Sequence, residues 1–392
     1  MEIRLMVNEQ MKHVSLPGEL LGDAAAARRF HRSLPGFAET RLVGLSGLAR
    51  QLAVKGVFVK DESSRLGLKA FKGLGASYAI ARLLAERLGL DQSSLTFTRL
   101  ASAVRERLPQ LTLVTATDGN HGKAVAWMAQ QLGLRAVVYL PQGAAAERVQ
   151  AITALGAEAV VTDMVYDDAV RHAARMAEDH GWLLIQDTAW PGYELIPAWI
   201  TVGYSTMAAE ALEQLQQQAD LRPTHVMLQA GVGSMAAGVA SFILAQGMAP
   251  RITLLEPTSA ACYYESLQAG DGQPHRASGD LVTIMAGLSC GEPNPQAWAL
   301  LRNAVHSFAS CSDEVAALGM RALAHPLPGD SPVVSGESGA IGAGFLAALQ
   351  QPEFVHIKQA LGLNQQSVVL FFNTEGATDP ENYQRIVGKA WG

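Results

Sequence analysis

Short apolar runs alternate with longer helical stretches over most of the chain, and this alternation restricts the fold more than any other feature of the sequence. The run Arg135–Leu140 is representative, because it has the length of a strand, ends at Pro141 and has a helical segment on each side. A strand followed by a helix and another strand is typical of a crossover unit in a parallel sheet. The sequence therefore predicts an α/β protein with mostly parallel sheets flanked by helices.

The same patterns predict the individual elements. We expect strands at 111–115, 135–140, 157–161, 182–185, 224–228 and 252–255. The intervening helices are expected at 122–132, 144–155, 167–179 and 235–248. The segment 92–110 has only weak helical periodicity, so its shape stays open. A single hydrophobic core rarely grows to 392 residues, so we expect two lobes: a large one from 1–80 and 190–392, and a small one from 81–189.

Charge and hydropathy exclude several functional classes. The net charge is −6 and no Lys/Arg cluster is present, which argues against nucleic-acid binding. Charged residues interrupt the first 16 positions, so no signal peptide is predicted and a cytoplasmic location is expected. The longest apolar run contains Gln246 and predicts a buried helix rather than a membrane span.

The three cysteines, Cys262, Cys290 and Cys311, fit no zinc-binding spacing. We therefore predict free core thiols and no metal site, although a bridge between Cys262 and Cys290 stays open.

Lys72 follows Phe71 at the expected start of a helix. The positive end of the helix dipole disfavours an ammonium group there, and a lowered amine pKa is what a Schiff-base lysine needs. The alternative is an ordinary solvated lysine, which is the commoner case.

A second polar segment, 115–123, lies where a predicted strand ends and a helix begins, which is where parallel sheets bind ligands. It contains Asp118, Asn120 and two glycines that allow a ligand to approach the backbone. Asp and Asn also cap helices, so this segment alone does not establish a binding site.

The glycine loop Gly231, Val232, Gly233, Ser234 and Met235 follows another predicted strand and can bind a phosphate at a helix N-terminus. The loop also fits a dinucleotide fingerprint, and Glu256 has the spacing of a ribose-binding acid. By itself, this segment would indicate NAD.

Taken together and in this order, the three segments resemble those of the fold-type II pyridoxal-phosphate enzymes. The resemblance implies that Lys72 bonds to the cofactor, that Asn120 binds its phenolic oxygen, and that residues 231–235 hold its phosphate. It also implies an uncharged partner for the pyridine nitrogen, for which Asn373 and Thr374 are both candidates.

Asp118 departs from the Ser or Thr that most of these enzymes have before the Gly-Asn-His sequence. With Asp187, it makes the chain similar to diaminopropionate ammonia-lyases. That similarity implies a homodimeric lyase of amino-acid degradation, which acts on both enantiomers of a small diamino acid. It further implies that Asp118 is the base for the D isomer and Asp187 for the L isomer, while Lys72 shuttles protons. Two alternatives remain: a serine or threonine dehydratase, and a non-catalytic amino-acid sensor.

Overall fold

The computed structural model describes residues 1–12, 14, 16, 20–117 and 119–388. The chain divides into two compact units. The larger unit comprises Met1–Leu16, Glu39–Ser64 and Met207–Gly392, and the smaller comprises Pro17–Ala38 and Arg65–Thr206. These boundaries differ from those predicted at 80 and 190. The difference arises because the helix that begins at Lys72 packs against helices at 120–132 and 195–203, and so belongs to the smaller unit.

The described residues form eleven strands and sixteen α-helices. The strands are β1 (Ile3–Val7), β2 (Leu42–Gly44), β3 (Gly56–Asp61), β4 (Thr112–Ala116), β5 (Arg135–Leu140), β6 (Glu158–Val161), β7 (Leu183–Leu184), β8 (His225–Gln229), β9 (Arg251–Pro257), β10 (Ser307–Cys311) and β11 (Val368–Asn373). The helices are α1 (Leu20–Arg32), α2 (Ser46–Leu52), α3 (Lys72–Leu88), α4 (Phe97–Arg107), α5 (Asn120–Leu132), α6 (Ala146–Thr153), α7 (Tyr166–His180), α8 (Leu195–Gly203), α9 (Ser205–Ala219), α10 (Ser234–Ala245), α11 (Cys262–Ala269), α12 (Pro295–Ala304), α13 (Asp313–Ala324), α14 (Glu337–Ala348), α15 (Val355–Leu361) and α16 (Pro380–Val387).

The larger unit contains a seven-stranded sheet with the order β1-β10-β9-β8-β11-β3-β2. The five central strands are parallel, whereas β1 and β2 pair antiparallel at the two edges. The carboxyl ends of the central strands therefore meet along one side of the sheet, where Gln229 ends β8 and Asn373 ends β11. The register pairs Asn373 with Asp61 at the end of β3.

The smaller unit contains a four-stranded parallel sheet with the order β6-β5-β4-β7. Helices α5, α6 and α7 connect these strands, as the alternating pattern predicted. The α/β fold class is confirmed. The segment 92–110, whose shape was open, contains α4, which begins after Thr96 caps the backbone N–H of Arg99 at 3.4 Å. Among the described residues, no helix has both the length and the apolar character that crossing a membrane requires.

Two glycines allow α3 and α8 to approach each other closely. A Cβ atom at Gly203 would lie 2.6 Å from the carbonyl oxygen of Leu74 and 2.8 Å from the Cα of Gly75. A Cβ atom at Gly75 would lie 2.6 Å from the ring of Tyr204. Since α3 begins at Lys72, this contact fixes the helix that presents Lys72.

We expect Gly203→Ala to destabilise the protein by about 1–3 kcal/mol, because the added methyl group must displace the backbone of α3. Gly22→Ala is the matched control. Gly22 lies in α1, and a Cβ atom there would have no neighbour within 4 Å in the described part of the chain. This change should therefore be neutral or stabilise by up to about 1 kcal/mol. Thermal unfolding midpoints of the two variants test this, and equal midpoints would contradict the close packing.

Candidate active site

Lys72 is the first residue of α3, and its side chain is largely buried. Its Nζ atom donates a hydrogen bond to Asp187 Oδ2 at 2.5 Å. The ring of Phe71 lies 5.6 Å from the same Nζ atom and packs against Tyr204, with a distance of 4.8 Å between ring centroids. Lys72 is therefore held among aromatic rings with an acidic partner, which excludes the interpretation as a solvated surface lysine.

Asp187 follows β7 and is held by several donors from the same unit. Its Oδ1 atom accepts hydrogen bonds from the Tyr166 hydroxyl and from Gln186 Nε2, each at 3.2 Å. Its Oδ2 atom lies 3.8 Å from His121 Nδ1. Burial by itself would raise the pKa of Asp187, but the charges of Lys72 and His121 and the hydrogen bonds from Lys72 and Tyr166 outweigh it. The pKa therefore lies well below its usual range, and Asp187 is a carboxylate.

The ends of β4 and β7 are joined by side chains. Gln186 Oε1 accepts hydrogen bonds from the backbone N–H of Ala116 at 3.0 Å and from the Thr115 hydroxyl at 3.1 Å. His121 Nε2 lies 2.7 Å from the carbonyl oxygen of Ile185. A carbonyl oxygen only accepts, so Nε2 carries the hydrogen and Nδ1 faces Asp187. The carboxyl ends of these strands, where the sequence predicted a ligand site, are thus joined by a network of polar side chains.

The loop that leads from β4 into α5 is built around Thr117. Its hydroxyl oxygen accepts hydrogen bonds from the backbone N–H groups of Gly119 and Gly122, at 2.9 and 3.0 Å. A Cβ atom at Gly122 would lie 2.4 Å from the Thr117 methyl group, so only glycine fits there. Asn120 begins α5 immediately after this turn, whereas Asp118 lies outside the described residues.

In the larger unit, the glycine loop leads from β8 into α10. Gly233 is the residue before the helix and has a φ of 95°, in the left-handed region that favours glycine. A Cβ atom at Gly231 would lie 2.9 Å from the carbonyl oxygen of Gly287. The loop therefore needs both glycines, and it ends at a helix N-terminus, where backbone N–H groups can bind an anion.

Asn373 and Thr374, the two candidates for the pyridine nitrogen, differ in their hydrogen bonds. The Asn373 amide is fully engaged, because Oδ1 accepts from the Ser335 hydroxyl at 2.7 Å and Nδ2 donates to Asp61 Oδ1 at 2.8 Å and to Val334 at 3.0 Å. The Thr374 hydroxyl accepts a hydrogen bond from Gln229 Nε2 at 3.0 Å. It makes no other hydrogen bond within the described part of the chain, so its hydrogen remains to be donated.

Glu256 does not serve as the ribose-binding acid of a dinucleotide site. It is fully buried, and its two carboxylate oxygens accept hydrogen bonds from the backbone N–H groups of Tyr263 and Tyr264, both at 2.8 Å. Both oxygens are therefore used inside the protein, and the NAD interpretation loses the acid that it needs.

Comparison with known proteins agrees with this geometry. The model of the family "Pyridoxal-phosphate dependent enzyme" matches residues 34–366. Diaminopropionate ammonia-lyase of Escherichia coli K12 is 50% identical over 367 residues, covering 93% of this chain and 91% of that protein. The crystal structure of the selenomethionine holo form of the Escherichia coli enzyme aligns with a TM-score of 0.93 at 46% identity, covering 98% of this chain and 96% of that one. The structure of that enzyme with an aminoacrylate-PLP azomethine reaction intermediate aligns with a TM-score of 0.91 at 46% identity, covering 98% and 97%.

The chain therefore belongs to the pyridoxal-phosphate-dependent enzymes of fold type II. Within this class, it belongs to the family of the diaminopropionate ammonia-lyases. The resemblance, the fold class and the cofactor class that the sequence predicted are confirmed.

Sequence reasoning did not find Tyr166 and Gln186 as partners of Asp187. Tyr166 precedes Asp187 by 21 residues, at the start of α7, and no spacing relates the two positions. Gln186 is adjacent, but adjacent residues of a strand usually point in opposite directions. The turn after β7 places the Gln186 amide within hydrogen-bonding distance of the Asp187 carboxylate.

The low pKa of Asp187 predicts how this site contributes to stability in the cofactor-free protein. Asp187→Asn is expected to lower the free energy of unfolding at neutral pH, because it leaves Lys72 buried without its carboxylate. An Asp in the unfolded chain titrates near ~3.9. Since the folded-state pKa is lower, the stabilisation is complete above that value and is lost as the pH falls through the folded-state pKa.

Thermal unfolding of the wild type and of Asp187→Asn from about pH 7 to about pH 3 measures this effect, with the exposed Asp179→Asn as the control. The difference between wild type and Asp187→Asn should shrink below about pH 4, while Asp179→Asn stays close to wild type throughout. A difference that does not change with pH would contradict the low pKa of Asp187.

Proposed function

We propose that this protein eliminates the β-amino group of 2,3-diaminopropionate in a pyridoxal-phosphate-dependent reaction. Overall, the substrate and one water molecule give pyruvate and two molecules of ammonia. The observation that carries the proposal is the buried pair of Lys72 and Asp187, since it combines the amine that would bond to the cofactor with an anionic base. The curated relatives of the same family have this activity in their names.

Several residues suit the individual parts of the cofactor. Lys72 would bond to the cofactor's aldehyde carbon and Asn120 would bind its phenolic oxygen. Residues 231–235 would hold the phosphate, since the loop offers glycines and a helix N-terminus. When bound, pyridoxal phosphate withdraws electrons from the substrate's Cα atom and so makes its proton more acidic.

Thr374 is the residue that we assign to the pyridine nitrogen. Its hydroxyl retains a hydrogen to donate, whereas Asn373 is used to join β11 to the chain around it. A neutral donor leaves this nitrogen without a full positive charge, which favours elimination over reactions that need a long-lived carbanion. Asn373 thus becomes a structural residue.

Asp187 is suited to remove a Cα proton because its basicity depends on Lys72. The charge of Lys72 is the largest contribution that lowers the pKa of the Asp187 carboxyl. If the Lys72 amine is uncharged when the substrate is bound, burial is opposed less strongly and the pKa of Asp187 rises. The carboxylate becomes a stronger base at the stage when a base is needed.

Two aspartates are proposed because the Cα protons of the two enantiomers point to opposite faces of a flat cofactor. We assign the L isomer to Asp187 and the D isomer to Asp118, with Lys72 returning a proton to the leaving amine. The donors on Asp187 Oδ1, from Tyr166 and Gln186, orient the carboxylate so that its other oxygen, Oδ2, faces Lys72 Nζ. A hydroxyl at 118, as in a dehydratase, would supply no base for the second face.

We also propose a homodimer in the cytoplasm, as the resemblance to the family implies. All three cysteines are buried thiols in the structure, which suits a reducing compartment. Their burial makes an intermolecular disulfide an unsuitable way to join two chains.

Reduction of the loaded enzyme with borohydride, followed by peptide mapping, should label Lys72 and leave Lys69 unmodified, because Lys72 alone adjoins the carboxylate of Asp187. Lys69→Ala is the matched control and should keep the absorbance of the bound cofactor. Lys72→Ala should lose that absorbance and nearly all turnover, since it removes the covalent route. Label on Lys69 would refute the assignment.

The enantiomers separate the two bases. Asp187→Asn is expected to lower kcat for L-diaminopropionate by on the order of 10²-fold or more and to affect the D isomer much less, because one general base is lost. Asp118→Asn should show the opposite preference. Steady-state release of pyruvate measures both, in variants that keep the absorbance of the bound cofactor. Equal losses for both isomers in both variants would exclude the two-base mechanism.

A further inference from the structure

We propose that Tyr263 is a positioning residue that holds the glycine loop in the conformation that binds the cofactor's phosphate. The proposal rests on the proposed function, because the phosphate is that of the same cofactor. No motif in the sequence indicates this role, since Tyr263 lies in α11, well beyond the loop. The contacts of Tyr263 with Val232 and Gly233 carry the inference.

The Tyr263 hydroxyl donates a hydrogen bond to the carbonyl oxygen of Val232 at 2.8 Å. The backbone N–H of Asn294 donates to the same oxygen at 2.9 Å. Two donors occupy both lone pairs of this carbonyl and fix the orientation of the peptide between Val232 and Gly233. The N–H on the other end of that peptide belongs to Gly233, so its direction is fixed as well.

The hydroxyl also fills the space beside Gly233. A Cβ atom at Gly233 would lie 2.0 Å from the Tyr263 hydroxyl oxygen and 2.5 Å from the ring carbon that carries it. The loop therefore passes directly over the tyrosine, in a backbone conformation that only glycine adopts easily. Tyr263 and Gly233 form one closely packed unit, and the hydroxyl supports the loop from the side of the core.

Tyr263 is itself held in place at its backbone and at its ring. Glu256, at the end of β9, accepts the backbone N–H of Tyr263 through one carboxylate oxygen and that of Tyr264 through the other, both at 2.8 Å. These N–H groups belong to the first turn of α11, so the side chain of Glu256 caps the start of that helix. The fully buried ring packs at a tilt against Trp298, 5.9 Å between centroids.

These contacts connect the ends of two parallel strands, because β8 leads into the glycine loop and β9 ends near Glu256. The carboxyl group of Glu256 orients α11, α11 presents Tyr263, and Tyr263 orients the loop. A phosphate then meets N–H groups that are already aligned, so binding does not have to order the loop. Glu256, which suggested a ribose-binding acid, acts in this arrangement through Tyr263.

Tyr263→Phe tests the proposal, because it keeps the buried ring and removes only the hydroxyl. Cofactor-free protein is titrated with pyridoxal phosphate and, separately, with pyridoxal, and the absorbance of the bound compound is followed. The Kd for pyridoxal phosphate should rise about 3- to 10-fold, the factor expected when one neutral hydrogen bond is lost. The Kd for pyridoxal, which has no phosphate, should stay within about 2-fold of wild type.

Tyr264→Phe is the matched control, since Tyr264 is adjacent and shares the contact to Glu256 only through its backbone. It should bind both compounds as the wild type does. The proposal is overturned if Tyr263→Phe binds pyridoxal phosphate as tightly as wild type, if it loses affinity for both compounds equally, or if Tyr264→Phe shows the same loss. Failure of the wild type to bind pyridoxal phosphate would instead refute the proposed function.

Discussion

The ion pair between Lys72 and Asp187 is the interaction on which the site of the smaller unit depends. A buried pair of opposite charges is tolerated only when the two groups lie close to each other and their remaining hydrogen-bonding groups are satisfied. Tyr166 and Gln186 meet this requirement for the carboxylate. The close packing of α3 on α8 and the turn around Thr117 then keep the surrounding backbone in place.

The site of the larger unit uses a different principle. The glycine loop and Thr374, to which we assign the cofactor's phosphate and pyridine nitrogen, carry no formal charge, so the proposed binding relies on oriented dipoles and backbone N–H groups. Such groups must be aligned before the ligand binds, because orienting a flexible dipole costs free energy that would otherwise contribute to binding. The buried side chains beneath the loop provide that alignment, which explains why a polar tyrosine occupies a core position there.

The sequence predicted the parts of this protein that local patterns determine. β5 has the predicted bounds because Pro141 ends its apolar run, and α10 was recognised from its apolar length. The sequence placed the boundaries of the two units at 80 and 190, whereas the structure divides the chain after Ser64 and Thr206, because these boundaries follow from the packing of α3 and not from a break in the sequence. The motifs indicated Lys72, Asn120 and the glycine loop, whereas our assignment of Thr374 rather than Asn373 rests on the hydrogen bonds of the folded chain. Tyr263 has no sequence signal, since its proposed role comes from contacts with the glycine loop, about 30 residues earlier in the chain.

The position of β11 has a consequence for how the chain is completed during synthesis. This strand lies between β8 and β3, and Asn373 bonds to Asp61 across 312 residues of sequence. The ribosome makes β3 long before β11, so the centre of the larger sheet cannot close until residue 373 has emerged. The segment 65–206 is continuous and can form most of the smaller unit before then. A nascent chain thus acquires Lys72 and Asp187 in their final setting first, and Thr374 arrives only after β11.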